Sequence, residues 1–459
     1  MSAEVPAVSR RVPFLVADCF VLAWDAFMRR TRQGGHVSQS VLEVSSLPDL
    51  TAIQRALARA AEKFPLLTAR PRRDWLTRAP YWLLRAAPPA AGLPLGLWRQ
   101  EGVLETVLMG SRTAPNVQTL MQLIATEGLT RAGTEYNARL DVAAVAGGRF
   151  LAVLTWSHLL LDGKGAELLS AELARLCAGI DTPEEVPPPS PAPPRPSLLA
   201  RFRLTRPAMD HQTGLQETGV PSLGGPRPRP GRACYEVLTL SPEETRTVRA
   251  RVEATVGGLF PFTFYVAAVA RAHDRVFAHR GRQPPGYGIS VPSQTRKRGA
   301  RGPIFHNHVA ALFFNPRREH LGSLEEAAAA MKAQFASMVR RKVAESFNAV
   351  LELMRPLPAW LFLGVVRLQF KGELCTCFHS YTGQFAPEMT DFAGARVLNA
   401  YHLPCLGTPP GTGLFFGEHG ERLNVTLSWR EGVLTPEERT LMMGRLREDL
   451  LGTVSVAPP

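Results

Sequence analysis

Thr155-Trp156-Ser157-His158-Leu159-Leu160-Leu161-Asp162-Gly163-Lys164-Gly165 is the stretch on which the reading of this chain turns. Residues 149–156, just before the histidine, are apolar or β-branched and read as a buried strand. Beyond Gly163, Leu168, Leu169, Leu173 and Leu176 recur at helical spacing. The pattern is thus a strand that delivers a histidine at its end, a short apolar turn, and an Asp-Gly step that opens a helix. A catalytic base needs this setting: a rigid element aims the imidazole, and a glycine lets backbone or substrate come close. Histidine suits the role because its ordinary pKa lies near neutrality, so it both takes and returns a proton. With this composition, H-x-x-x-D-G is expected by chance on the order of 0.02 times in the chain. A core histidine followed by an ordinary turn is therefore the weaker reading.

Working outward, residues 37–44 read as a strand and residues 49–64 as an amphipathic helix, with Leu50, Ile53, Leu57, Ala61 and Phe64 on one face. From residue 181 to 232 the chain is punctuated by PPPSPAPPRP (187–196) and GGPRPRPG (224–231). Proline at that density predicts an extended linker without helix or central strand. The second part opens with a strand at 235–240. Ser241-Pro242-Glu243-Glu244 and Thr435-Pro436-Glu437-Glu438 have the form of capping boxes with proline at the first helical position. Helices are expected at 262–277 and 323–343, and strands at 288–292, 309–314, 374–381 and 422–429. Alternating strands and helices in both halves predict an α/β protein with mixed sheets. The expected division is an N-terminal lobe at 1–182, a linker at 183–231 and a C-terminal lobe at 232–459.

At 459 residues the chain exceeds what one core usually serves. Its hydrophobic share of 45% and charged share of 20% are those of a globular protein. The formal charge is +13, and only six of the 53 basic residues are lysine. Arginine in place of lysine is also what a GC-rich genome produces; the functional reading is attraction to anionic partners: coenzyme A phosphates, an acidic carrier protein or an anionic membrane surface. The arginines are scattered, and no nucleic-acid-binding motif accompanies them, which argues against nucleic acid. No apolar run reaches the roughly 18 residues of a membrane span. Asp18 and Asp25 interrupt the N-terminal apolar run, against a signal peptide. A cytoplasmic protein with six reduced cysteines is expected. Cys375, Cys377 and His379 alternate as strand neighbours would, but a fourth ligand is missing, so no metal site is expected. His306 and His308 form a similar pair, read as ordinary histidines. Gly411-Thr412-Gly413 leads into a strand and not a helix, so it is no dinucleotide fingerprint. A G-x-S-x-G elbow and a P-loop are both missing.

The segment His158–Gly163 resembles the HHxxxDG active-site motif of the condensation-domain and chloramphenicol-acetyltransferase-like superfamily. Leu50–Leu67, ending Glu62-Lys63-Phe64-Pro65-Leu66-Leu67, is similar to that family's first helix and its exit. Residues Gly288 through Arg296 look like its second-lobe strand, which ends in a structural arginine. Phe305-His306-Asn307-His308 sits where a Gly-Asn step is usual, and Ser380-Tyr381-Thr382-Gly383 resembles the crossover strand. Two departures stand out: Ser157 replaces the first histidine, and His306 replaces the glycine. The acetyltransferase branch keeps only the second histidine, so the first departure is compatible with activity.

The resemblance implies a pseudo-dimer of two similar lobes around a central tunnel, in which thioester and acceptor meet at the histidine. It implies an acyltransferase with His158 as general base and an acceptor hydroxyl as nucleophile. Asp162, Gly163 and Arg296 would then be structural, with Asp162 paired to Arg296. Ser157, Asn307 and Ser380 are the expected substrate or oxyanion contacts. No cofactor is expected to be resident; acyl-CoA or a phosphopantetheinyl thioester is the expected co-substrate, with a small-molecule acceptor and an acyl carrier protein as partners. The basic loop 296–301 reads first as an ordinary solvated loop; in the fold the resemblance implies, the alternative is that pantetheine phosphates are met there. Two other functions fit the same residues: an amide-forming condensation enzyme, and a catalytically silent relative that binds a carrier or partner.

Overall fold

The computed structural model describes residues 11–89, 92–126, 129, 136–181, 198–297 and 299–452. Its strands are β1 (Arg11–Pro13), β2 (Val37–Val44), β3 (Arg70–Arg73), β4 (Pro80–Leu83), β5 (Leu95–Gln100), β6 (Arg112–Ala114), β7 (Ala138–Val145) and β8 (Arg149–Ser157) in the N-terminal part. The C-terminal part adds β9 (Ala233–Thr239), β10 (Ile289–Gln294), β11 (Val309–Phe314), β12 (Cys377–Gln384), β13 (Asp391–Phe392), β14 (Ala395–Leu403), β15 (Thr412–His419) and β16 (Arg422–Arg430). The α-helices are α1 (Val16–Arg30), α2 (Leu50–Lys63), α3 (Val117–Thr126), α4 (Gly163–Cys177), α5 (Leu198–Thr218), α6 (Pro242–Val256), α7 (Phe262–His279), α8 (Leu324–Arg340), α9 (Val343–Met354), α10 (Ala359–Leu368) and α11 (Pro436–Leu451).

Two mixed sheets carry the fold, in the order β13-β14-β2-β8-β7-β5-β6 and β11-β10-β12-β15-β16-β9. β7 is buried along its whole length and β2 nearly so, because the first sheet is covered on both faces. Strand alternation sends Leu42, Val142, Ala152 and Leu154 into one cluster with α2 and α4, and Val41, Ala143 and Val153 into another with α3. The second sheet packs on α6, α7, α8 and α11. Both expected capping boxes form: Ser241 with Glu244, and Thr435 with Glu438.

Two features differ from the sequence reading. Residues 183–197 of the expected linker lie outside the described residues, but 198–218 form α5, a helix where an extended chain was expected. It runs between the two proline clusters, keeps Pro207 inside it, and docks on α9, where the Ala208 N–H donates to Ser346 Oγ at 2.8 Å. Tertiary packing here outweighs composition. Residues 380–383 do not cross between sheets: they belong to β12, parallel to β15 in the second sheet. The strand that crosses is β14, which pairs antiparallel with β2, His402 facing Ser40. As the sequence led one to expect, among the described residues no helix is long and apolar enough to cross a membrane.

Candidate active site

His158 follows the last residue of β8, and its backbone N–H donates to the His36 carbonyl at 2.9 Å. Its Nδ1 lies 3.1 Å from Asn307 Oδ1. An amide oxygen only accepts, so Nδ1 carries the proton and Nε2 keeps the lone pair that a base needs. The Asn307 amide is itself pinned, donating through Nδ2 to Asp18 Oδ1 at 2.8 Å and to the His158 carbonyl at 2.9 Å.

Asp18, on α1, anchors this chain of contacts. It is fully buried, and its carboxylate accepts from the Leu15 and Asn307 backbone N–H groups at 2.8 Å and from His306 Nδ1 at 2.7 Å. His306 holds φ at +72°, the left-handed region that glycine normally occupies. The bond to Asp18, and the one from the His306 N–H to the Leu160 carbonyl at 2.7 Å, offset that strain.

Asp162 caps α4 through the Gly165 N–H at 2.8 Å and also accepts from the His308 N–H at 2.8 Å. Arg296 reaches it from the other lobe, with Nη1 at 2.7 and 3.0 Å from the two carboxylate oxygens. The close approach falls at Gly165, where a Cβ would stand 2.2 Å from the Ile304 carbonyl oxygen. Gly163 instead faces open space: a Cβ there would meet His402 Nε2 only at 3.9 Å.

His158, Gly163, Asn307 and Ser380 line one cavity of about 650 Å³ between the lobes. Asp162 and Arg296 stand at its edge. One arm of it is apolar, with Phe20 and Trp24 from α1, Phe347, Leu351 and Met354 from α9, and Val366 from α10. Ser157 is not among the lining residues, contrary to expectation, because alternation turns it to the strand face opposite Trp156 and His158. Asn307 lines the cavity as a positioning residue and not an oxyanion donor, since its amide N–H groups are both engaged. Arg296 is committed to Asp162, with its side chain 2% exposed, which removes it as a phosphate ligand. Lys297 remains exposed at the rim, and Arg298 lies outside the described residues. Cys377 packs in the second-lobe core and Cys375 against α1 and α10, so the two do not share a face. His379 Nδ1 donates to the Leu414 carbonyl at 2.9 Å.

Four contributors escaped the sequence reading. Asp18 left a signal, an acidic residue in the apolar stretch that becomes α1. His36 left none. Its ring stacks on that of His158, centroids 4.5 Å apart and planes 16° from parallel. Burial pushes both imidazoles below their ordinary pKa, and for His36 the neighbouring His158 adds to the effect. His402 and Lys164, also lining the cavity, meet through Glu167: His402 Nε2 at 3.3 Å from one carboxylate oxygen and Lys164 Nζ at 2.6 Å from the other.

Neither a family model nor a curated protein matches the chain. Solved structures do. The first condensation domain of the CDA synthetase aligns at TM-score 0.65 with 17% identity, covering 96% of each chain. Trichothecene 15-O-acetyltransferase from Fusarium sporotrichioides aligns at TM-score 0.68 with 12% identity, covering 98% of this chain and 97% of its own. The epimerization domain from the third module of tyrocidine synthetase B aligns at TM-score 0.61 with 11% identity, covering 98% of both. The chain therefore shares its fold with condensation-domain, acetyltransferase and epimerization-domain structures along nearly its whole length.

Proposed function

We propose that the protein is an acyltransferase that moves an acyl group from a thioester donor to an acceptor hydroxyl, with His158 as general base. The observation that carries this reading is the chain Asp18–Asn307–His158, which fixes a neutral imidazole with Nε2 as acceptor on the wall of an interlobe cavity. Nε2 takes the acceptor proton as the hydroxyl oxygen bonds to the thioester carbonyl carbon. The negative charge gathers on the former carbonyl oxygen, met by N–H groups at the start of α4 or by the Ser380 hydroxyl. Collapse breaks the C–S bond, and the departing thiolate takes the proton back from His158. Asp162 and Arg296 stay outside this proton transfer and hold the two lobes in register.

The donor is a co-substrate, acyl-CoA or a phosphopantetheinyl thioester on a carrier protein, whose acyl chain occupies the apolar arm. Base catalysis contributes about 10²–10⁴-fold. Holding two reactants in geometry is worth roughly 7–11 kcal/mol, so the cavity matters as much as the base. The test is thiol release from a panel of acyl-CoA donors and carrier-bound donors, with and without alcohols and amines. Acceptor-dependent release supports the reading, and a preference for alcohols fixes the acceptor class. No release from either donor type contradicts it.

A further inference from the structure

Beside Gly163 the cavity wall holds a charged cluster that base catalysis does not use. Glu167 is 1% exposed, yet it is a carboxylate with two partners that both face the cavity. Lys164 Nζ stands 2.6 Å from one of its oxygens and His402 Nε2 3.3 Å from the other. His402 is fixed on its far side by Ser40 Oγ, 2.9 Å from Nδ1, and by the edge of Trp156, with ring centroids 5.9 Å apart. An ordinary i,i+3 pair on a helix surface has both members in water and contributes little. Here the acid is buried and the base is 30% exposed. The carboxylate therefore steers the ammonium toward the cavity and fixes the imidazole through its second oxygen. An ammonium has three N–H donors, and one of them meets Glu167. Two are left over at a cavity wall that Lys164 shares with Gly163, whose missing Cβ leaves room there.

We propose that Lys164, held by Glu167, which His402 braces in turn, binds an anionic oxygen group at the Gly163 end of the cavity: a carboxylate on the acceptor or a phosphate of the pantetheine arm. Rim residue Lys297 adds positive potential, while Asp162 and Arg296 neutralise each other. The position favours the acceptor carboxylate, because Lys164 follows the catalytic turn directly and an anion held there leaves a nearby hydroxyl within reach of His158. The proposal rests on the acyl-transfer reading for the identity of the ligands, but its test requires no turnover.

Two matched comparisons by titration calorimetry address it: coenzyme A against pantetheine, and a set of hydroxy and amino acids against their amides. Each is run on the wild type, Lys164→Arg, Lys164→Gln and the double variant Lys164→Gln/Glu167→Gln. The double variant removes the uncompensated buried carboxylate that could unfold the single one. The expected result is a preference of about ten-fold or more for the anionic member of one comparison. That preference should be kept in Lys164→Arg and lost in both Gln variants. Preference in the acid–amide comparison assigns the site to the acceptor, and in the coenzyme A comparison to the donor. Absence of either preference in the wild type, or a preference that survives in the double variant, overturns the proposal. Anion binding with no thiol release would sink the acyl-transfer reading alone.

Discussion

Arg296 and Asp162 form the ion pair that ties the second lobe to the turn after His158, and replacing either should be costly in a calculable way. Their side chains are 2% and 4% exposed, with Nη1–O distances of 2.7 and 3.0 Å. Arg296→Met leaves the Asp162 carboxylate buried with only the Gly165 and His308 N–H groups as donors. Stranding one member of a buried pair typically costs about 3–5 kcal/mol. Asp162→Leu strands the guanidinium instead, and it also removes the cap of α4, worth about 1 kcal/mol more. Arg296→Met/Asp162→Leu leaves no uncompensated charge, so it should cost roughly as much as one single change. That implies a coupling of at least about 2 kcal/mol. Urea unfolding of the four proteins, followed by circular dichroism at constant m-value, gives the cycle directly. A cost under about 1 kcal/mol for Arg296→Met, or simple additivity in the double variant, would refute the buried-pair reasoning.

Other perturbations report on the neighbouring groups. Asp18→Asn places an N–H against His306 or Asn307, so kcat should fall at least about ten-fold with KM little changed, together with a stability loss of roughly 1.5–3 kcal/mol; steady-state kinetics with thermal unfolding would show both. The base must be neutral to act, and burial lowers the His158 pKa, so kcat/KM should rise with pH along an acid limb whose midpoint lies below 6.5. A midpoint at or above 6.5 would contradict the buried, neutral imidazole. His273 and His379 are both held down to about 4 by burial. Their unfolded forms titrate near 6.5, so below that pH the unfolded chain binds protons the folded one refuses. Stability is then complete above pH 6.5 and falls as pH drops toward 4, by up to about 3 kcal/mol for each histidine. His273→Gln should flatten that loss in a pH series of urea midpoints.

What the sequence disclosed follows from the range of the signals. The strand–His158–turn–α4 unit is local, and its apolar spacing and Asp-Gly step are visible in eleven consecutive residues. The Asp162–Arg296 pair spans 134 residues; it was reached through the family's pattern, since no local periodicity encodes it. Asp18, His36 and His402 act at the site only because α1, the entry to β2 and β14 converge there. Their partners lie 289, 122 and 235 residues away in the chain. The linker was misread over 198–218 because composition ignores the surface of α9 on which α5 docks. Ser157 was misassigned because the motif marks a position, whereas strand alternation decides which face a side chain takes.

The central claim is that His158 removes the acceptor proton, and the most direct test is the rate of acceptor-dependent thiol release in His158→Ala against wild type, with folding checked by circular dichroism. The account predicts a fall of at least about 10²-fold, with residual turnover from substrate positioning alone. Release at the wild-type rate in the variant would show that the imidazole is structural and that the proton leaves by another route.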